Sequence, residues 1–165
     1  MSTFARTIGG AQKVPGKTLP EYKEAGSNLT VASYSFDAGT EEAIQYPIPS
    51  APAYTSGNAT VKIFVYADTA TTGNMIFGVR FAAITPGDAT NTETKSWGAQ
   101  TLSSATAASG TAHGLVTVTV TVASGDLDSL ATGDLAFIEI ARLGANGSDT
   151  MSGDAQVVGF EVTYS

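Results

Sequence analysis

Valine and threonine alternate without interruption from residue 116 to residue 122. Val116, Val118, Val120 and Val122 fall on one face, and Thr117, Thr119 and Thr121 on the other. A period of two marks a β-strand with one dry and one wet face, because successive side chains leave a pleated backbone on opposite sides. The same period recurs in 59–66, where Val61, Ile63 and Val65 oppose Lys62, Phe64 and Tyr66. In 75–84, Met75, Phe77, Val79 and Phe81 oppose Arg80. Joined through 68–74, these two runs predict an antiparallel hairpin. The runs 135–142 and 157–164, divided by the turn formers of 144–153, predict two antiparallel strands of one sheet. Val158, Phe160, Val162 and Tyr164 share the buried face of the last run.

Residues 29–36 and 41–48 also have strand composition. Pro47 lacks a ladder donor, which implies an edge position or an early end to the second run. Residues 99–108 give an ambiguous short strand, and 124–132 a turn-rich connection with a helical turn at 127–130. Repeated strands without helical periodicity predict an all-β fold: a two-sheet antiparallel β-sandwich, jelly-roll-like, over residues 28–165.

Before it, residues 1–27 show no sustained period and are broken by Gly9-Gly10, Pro15-Gly16 and Pro20. They predict an extended N-terminal arm. Its apolar residues are too many for a pure linker, so it is expected to dock on a neighbouring subunit or a larger assembly. Phe4, Arg6, Ile8, Lys13 and Lys17 are its candidate anchors.

Composition narrows the function. A chain of 165 residues is one domain's length. A net charge of −7 argues against a nucleic-acid partner, which needs clustered Lys and Arg. The charge is uneven, since Arg6, Lys13, Lys17 and Lys23 outnumber Glu21 and Glu24 in the arm and leave the body acidic. With no cysteine there are no disulfides and no thiolate chemistry. The first thirty residues hold no signal-peptide-like apolar stretch, and no run reaches the ~18–20 apolar residues of a membrane span. A soluble protein without a membrane partner is expected.

Three stretches carry a resemblance: residues 36–54, the runs 61–66 with 75–84, and 132–142 leading to 153–164. Together, over 29–164, they resemble small jelly-roll virion structural proteins of tailed bacteriophages, found as head-decoration, fibre or appendage domains. Where related patterns carry a tryptophan in the second hairpin strand, this chain has Met75-Ile76-Phe77. The resemblance implies a non-enzymatic protein that attaches to the capsid surface, or to a tail or fibre appendage, through protein–protein contacts. It implies a homo-oligomer, a trimer by preference, located in the virion after assembly in the host cytoplasm.

Candidate chemistry is sparse. The only histidine, His113, sits in a loop sequence, so neither a Ser/His/Asp site nor a zinc site is expected. The acidic pairs Glu41/Glu42, Asp126/Asp128 and Asp149/Asp154 lie in or beside turns, where such side chains bond their own backbone. Glu139 and Glu161, on the two C-terminal runs, would be unfavourable ladder neighbours unless one faces Arg80 or Arg142. Residues 125–134 and 146–150 offer oxygen ligands for calcium, with plain turn chemistry the stronger reading. No catalytic residue, metal or cofactor is expected. Aromatic residues supply the alternative function: Trp97 in a very polar loop, with Tyr46 or Tyr54, would form the contact site of a carbohydrate- or receptor-binding module. Core or subunit-interface packing is the plainer role for the two tyrosines, and Trp97 is the ring least expected to be buried.

Overall fold

A computed structural model describes residues 2–7, 9–48, 54–70 and 72–164, without the side chains of 2 and 4–7. In chain order the strands are β1 (Ser2–Thr7), β2 (Gln12–Lys13), β3 (Glu21–Ala25), β4 (Val31–Phe36), β5 (Glu41–Ile48), β6 (Ala59–Ala67) and β7 (Asn74–Met75). They continue with β8 (Phe77–Ile84), β9 (Thr101–Leu102), β10 (Thr106–Ala107), β11 (Leu115–Val122), β12 (Leu135–Leu143) and β13 (Ala155–Tyr164). One sheet runs β11–β6–β13–β4–β3, with β1 also on β13; the other runs β2–β5–β12–β8–β9. A two-stranded piece pairs β10 with β7. The protein is an antiparallel, jelly-roll-like β-sandwich with no α-helix among the described residues.

The period of two explains the core. Val61, Ile63 and Val65 of β6, Val118, Val120 and Val122 of β11, and Phe160 and Val162 of β13 point inward from one sheet. Ile44, Tyr46, Phe77, Val79, Phe81, Ile138 and Ile140 meet them from the other. Each such side chain, fully buried, contributes roughly 1.5–3 kcal/mol. Threonines 117, 119 and 121 are exposed, as their parity requires. The expected face of the last strand is broken at one place. A bulge between Val157 and Gly159 turns Val157 inward and leaves Val158 half-buried.

Both expected pairings of neighbouring strands are corrected. The runs 59–66 and 75–84 form no hairpin: β6 pairs with β11 and β13, whereas β8 pairs with β12 and β9. Likewise β12 and β13 lie in different sheets. Each connection crosses from one sheet to the other, because each strand has one strongly apolar face and the two faces bury each other across the sandwich. Glu139 and Glu161 are therefore not ladder neighbours. Glu139 meets Arg80 at 2.6 Å, and Glu161 lies 3.5 Å from Lys62. The expected helical turn at 127–130 is a short 3-10 turn at Ser124–Asp126 instead.

The expected arm is extended and is paired within the chain. Strand β4 reaches only Val157 on one edge of β13, and β1 takes that edge onward, from Gly159 to Tyr164. Strand β2 pairs with β5 and β3 with β4. Pro47 sits inside β5 opposite Phe137. It is tolerated because the other side of β5 is paired only from Glu42 to Gln45, by Thr18 and β2, and not at Pro47.

Candidate functional site

Residues whose parity turns them away from the core build the outer face of the five-stranded sheet. One row across it reads Gln12, Gln45, Glu139, Arg80, and the next Pro47, Phe137, Ala82. Glu139 is fully buried, and its carboxylate receives the Arg80 guanidinium at 2.6 Å. Breaking a buried pair of this kind leaves one charge uncompensated, so the two side chains hold each other in place.

The loop between β8 and β9 folds back over this face. Its Gly98 N–H donates to Phe81 O at 2.8 Å. A Cβ at Gly98 would stand 2.9 Å from Asp126 O, so only glycine lets the loop lie this close. Lys95 pairs with Asp128 at 2.9 Å, and the same Asp128 oxygen accepts the Ala83 N–H at 2.8 Å. Trp97 is thereby set on the sheet, half-buried, with the Arg80 guanidinium 5.2 Å from its ring centroid. That is cation–π distance. Between this loop and Pro15 runs a groove of about 240 Å3 whose lining includes Trp97, Phe137, Gln45, Thr92, Glu93 and Lys95. It offers aromatic surface with hydrogen-bonding groups around it.

Of the candidate contact residues, Trp97 alone is placed to meet a ligand. Tyr46 and Tyr54 are corrected: they are 1% and 6% exposed, packed against Phe160 and Tyr164 in the core. Their positions follow from packing, since Tyr46 shares the inward row with Ile44 and Ile48. Among the arm's candidates, Lys13 is exposed in β2, and Lys17 pairs with Glu41 at 2.5 Å. Phe4 and Arg6 lie in β1, and Ile8 falls outside the described residues.

The acidic candidates have local duties. Glu42 accepts the Asp37 N–H, Asp134 that of Ala131, and Asp154 the Ser35 hydroxyl. Burial raises the Glu42 carboxyl above its ordinary range. Asp149 binds Arg142 twice and accepts the Ile76 N–H. No cluster of three or more His, Cys, Asp or Glu suited to a metal occurs among the described residues. The sequence reading missed Arg80, Gln45, Phe137 and Glu139 as site residues. Their signal was parity: each occupies an outward position in a strand whose inward positions are apolar.

A second groove, of about 550 Å3, lies on the outer face of the other sheet. Val31, Tyr66, Leu115, Val158 and His113 are among its lining, and the His113 ring sits tilted against Tyr66 with centroids 5.9 Å apart. Its surface is overwhelmingly apolar.

No protein-family model matches the sequence, and no curated protein matches it. Solved structures do match the fold. The CBM22-2 xylan-binding domain of Paenibacillus barcinonensis Xyn10C superposes with a TM-score of 0.55 at 11% identity, over 98% of this chain and 99% of its own. A carbohydrate-binding module (CBM6cm-2) of Cellvibrio mixtus lichenase 5A, solved with cellotriose, gives 0.52 at 14% identity over 98% and 97%. The CBM35 of Cellvibrio japonicus Abf62 gives 0.52 at 12% identity over 97% and 93%. At such identities the likeness is one of fold. It overturns the expectation of a bacteriophage structural protein attached to a capsid or appendage. The strand pattern behind that expectation is the pattern of a sandwich that these carbohydrate-binding modules share from end to end.

Proposed function

We propose that this chain is a carbohydrate-binding module whose ligand lies in the Trp97 groove. The observation that carries the reading is the half-buried indole fixed on an outer sheet face, beside Phe137 and within reach of Gln45, Thr92, Glu93 and Lys95. A sugar ring has an apolar C–H face and a rim of hydroxyls. The first stacks on an aromatic ring, and the second needs hydrogen-bonding side chains around it. The groove is smaller than the ~300 Å3 at which pockets begin to enclose a drug-sized ligand, which suits a chain lying along the surface. The fold supports the same reading, since proteins of this architecture include a xylan-binding domain and a module solved with cellotriose. The larger groove suits it less, because its apolar lining would strip hydroxyls of water without replacing their hydrogen bonds.

The mechanism is binding without bond-making. Arg80, held from below by Glu139, fixes the indole over the sheet, and Lys95 with Asp128 fixes the loop that carries it. A site organised before the ligand arrives loses little entropy on binding. Trp97 is the chain's only tryptophan, so its emission reports on this groove alone. Titration with soluble oligosaccharides is expected to shift that emission. Trp97→Ala is expected to weaken binding by about 30-fold or more, the ~2 kcal/mol of an aromatic hot spot, with the melting temperature little changed. Unaltered affinity in that variant refutes the assignment.

A further inference from the structure

We infer that the Trp97 groove selects uncharged glycan chains and turns away uronate-rich or sulfated ones. The inference rests on the carbohydrate-binding reading and concerns the charge around the groove. The two cations beside Trp97 are both engaged. Lys95 is held by Asp128 at 2.9 Å, and Arg80 is held at 2.6 Å by Glu139, a carboxylate with no exposed surface. Asp128 is itself fixed by the Ala83 N–H, so the carboxylate that holds Lys95 stays in place.

The remaining ionised group in the lining is Glu93, exposed and without a side-chain partner among the described residues. An anionic sugar would therefore meet an unpaired carboxylate and two cations whose charges Glu139 and Asp128 already balance, on a chain of net charge −7. Capturing it would mean placing a second anion beside a cation whose charge is already balanced, against a repulsive field. A neutral sugar requires none of this. Each hydroxyl both donates and accepts, so it bonds the free lone pairs of Glu93 and the amide of Gln45 while the pairs stay closed. A single exposed carboxylate is too weak a partner to favour a cationic glycan instead.

The test is a Trp97 emission titration of the intact protein with soluble β-glucan, xylan and mannan, polygalacturonate, and chitosan oligomers, at low and high salt. The expected result is binding to at least one neutral polymer, with an affinity that moves by less than about twofold with salt, since no charge pairing contributes. Polygalacturonate and chitosan are expected not to bind. Asp128→Asn, which keeps an acceptor for the Ala83 N–H and frees Lys95, is expected to gain salt-sensitive binding to polygalacturonate. Salt-sensitive binding of polygalacturonate or chitosan by the unaltered protein overturns the charge selection while leaving carbohydrate binding in place. So does an Asp128→Asn variant that folds, binds the neutral polymer and still rejects polygalacturonate. Absence of binding to every class defeats the parent reading along with this one.

Discussion

Arg142 is fully buried at the end of the inward row of β12, and every one of its polar atoms is used. Nε and Nη2 donate to the Asp149 carboxylate, Nη1 to the carbonyls of Phe36 and Gly153, and Nη2 also to that of Met151. The 144–153 segment crosses between the sheets around this one guanidinium. Asp149→Ala strands a buried positive charge and is expected to cost about 3–5 kcal/mol, read as a lower urea midpoint. A change within ~0.5 kcal/mol would mean the clamp is not what holds the crossing. Tyr164 makes a pH-dependent contribution. Burial, with Tyr54 beside it, pushes its phenol from 10.0 up to about 12. The folded protein therefore keeps a proton that the unfolded chain gives up, and stability is expected to fall as pH rises from 10 toward 12. Tyr164→Phe is expected to flatten that fall in pH-dependent denaturation, and an unchanged slope would assign it to other groups. At this scale core or subunit-interface packing was the plainer role for Tyr46, and parity in the sequence already marked Arg80 as outward. It could not show that Arg80 would find Trp97, because that contact spans a loop whose path the alternation does not encode.

Strands are where the sequence was most and least legible. The period of two located β6, β8, β11, β12 and β13, and told the faces of β6, β8 and β11 and that of β13 beyond its bulge. It misassigned their partners. An apolar face is equally well buried by a hairpin neighbour in one sheet or by a strand of the opposite sheet, and the periodicity is identical in both cases. Short strands such as β9 and β10 have too few residues to show a period at all. The N-terminal segment read as an arm because glycine and proline interrupt it, yet pairing needs only short extended pieces beside an open edge. Strand β1 covers such an edge along six register positions of β13, from Ser2 against Tyr164 to Thr7 against Gly159. Removing residues 1–7 is expected to lower the urea midpoint and to make the protein associate with rising concentration, as an uncovered edge recruits another chain. Sedimentation of the truncated protein checks this; a monomer of undiminished stability would show that β1 contributes nothing to the sandwich.

At the scale of the molecule, the sandwich separates two outer faces of different chemistry. One bears the apolar groove with Tyr66 and His113, the other the Trp97 groove with its paired charges. Which face binds depends on how the β8–β9 loop folds, and that became visible only in three dimensions. Amide and indole chemical-shift mapping of the labelled protein during titration with xylo- and cello-oligosaccharides decides the matter. Saturable shifts are expected at the Trp97 indole and at Gln45, Lys95 and Phe137, with the core tyrosines and the Tyr66–His113 face unmoved. Shifts gathered instead around Tyr66, His113 and Leu115, or none at any sugar concentration, would contradict the assignment of the Trp97 face as the binding surface.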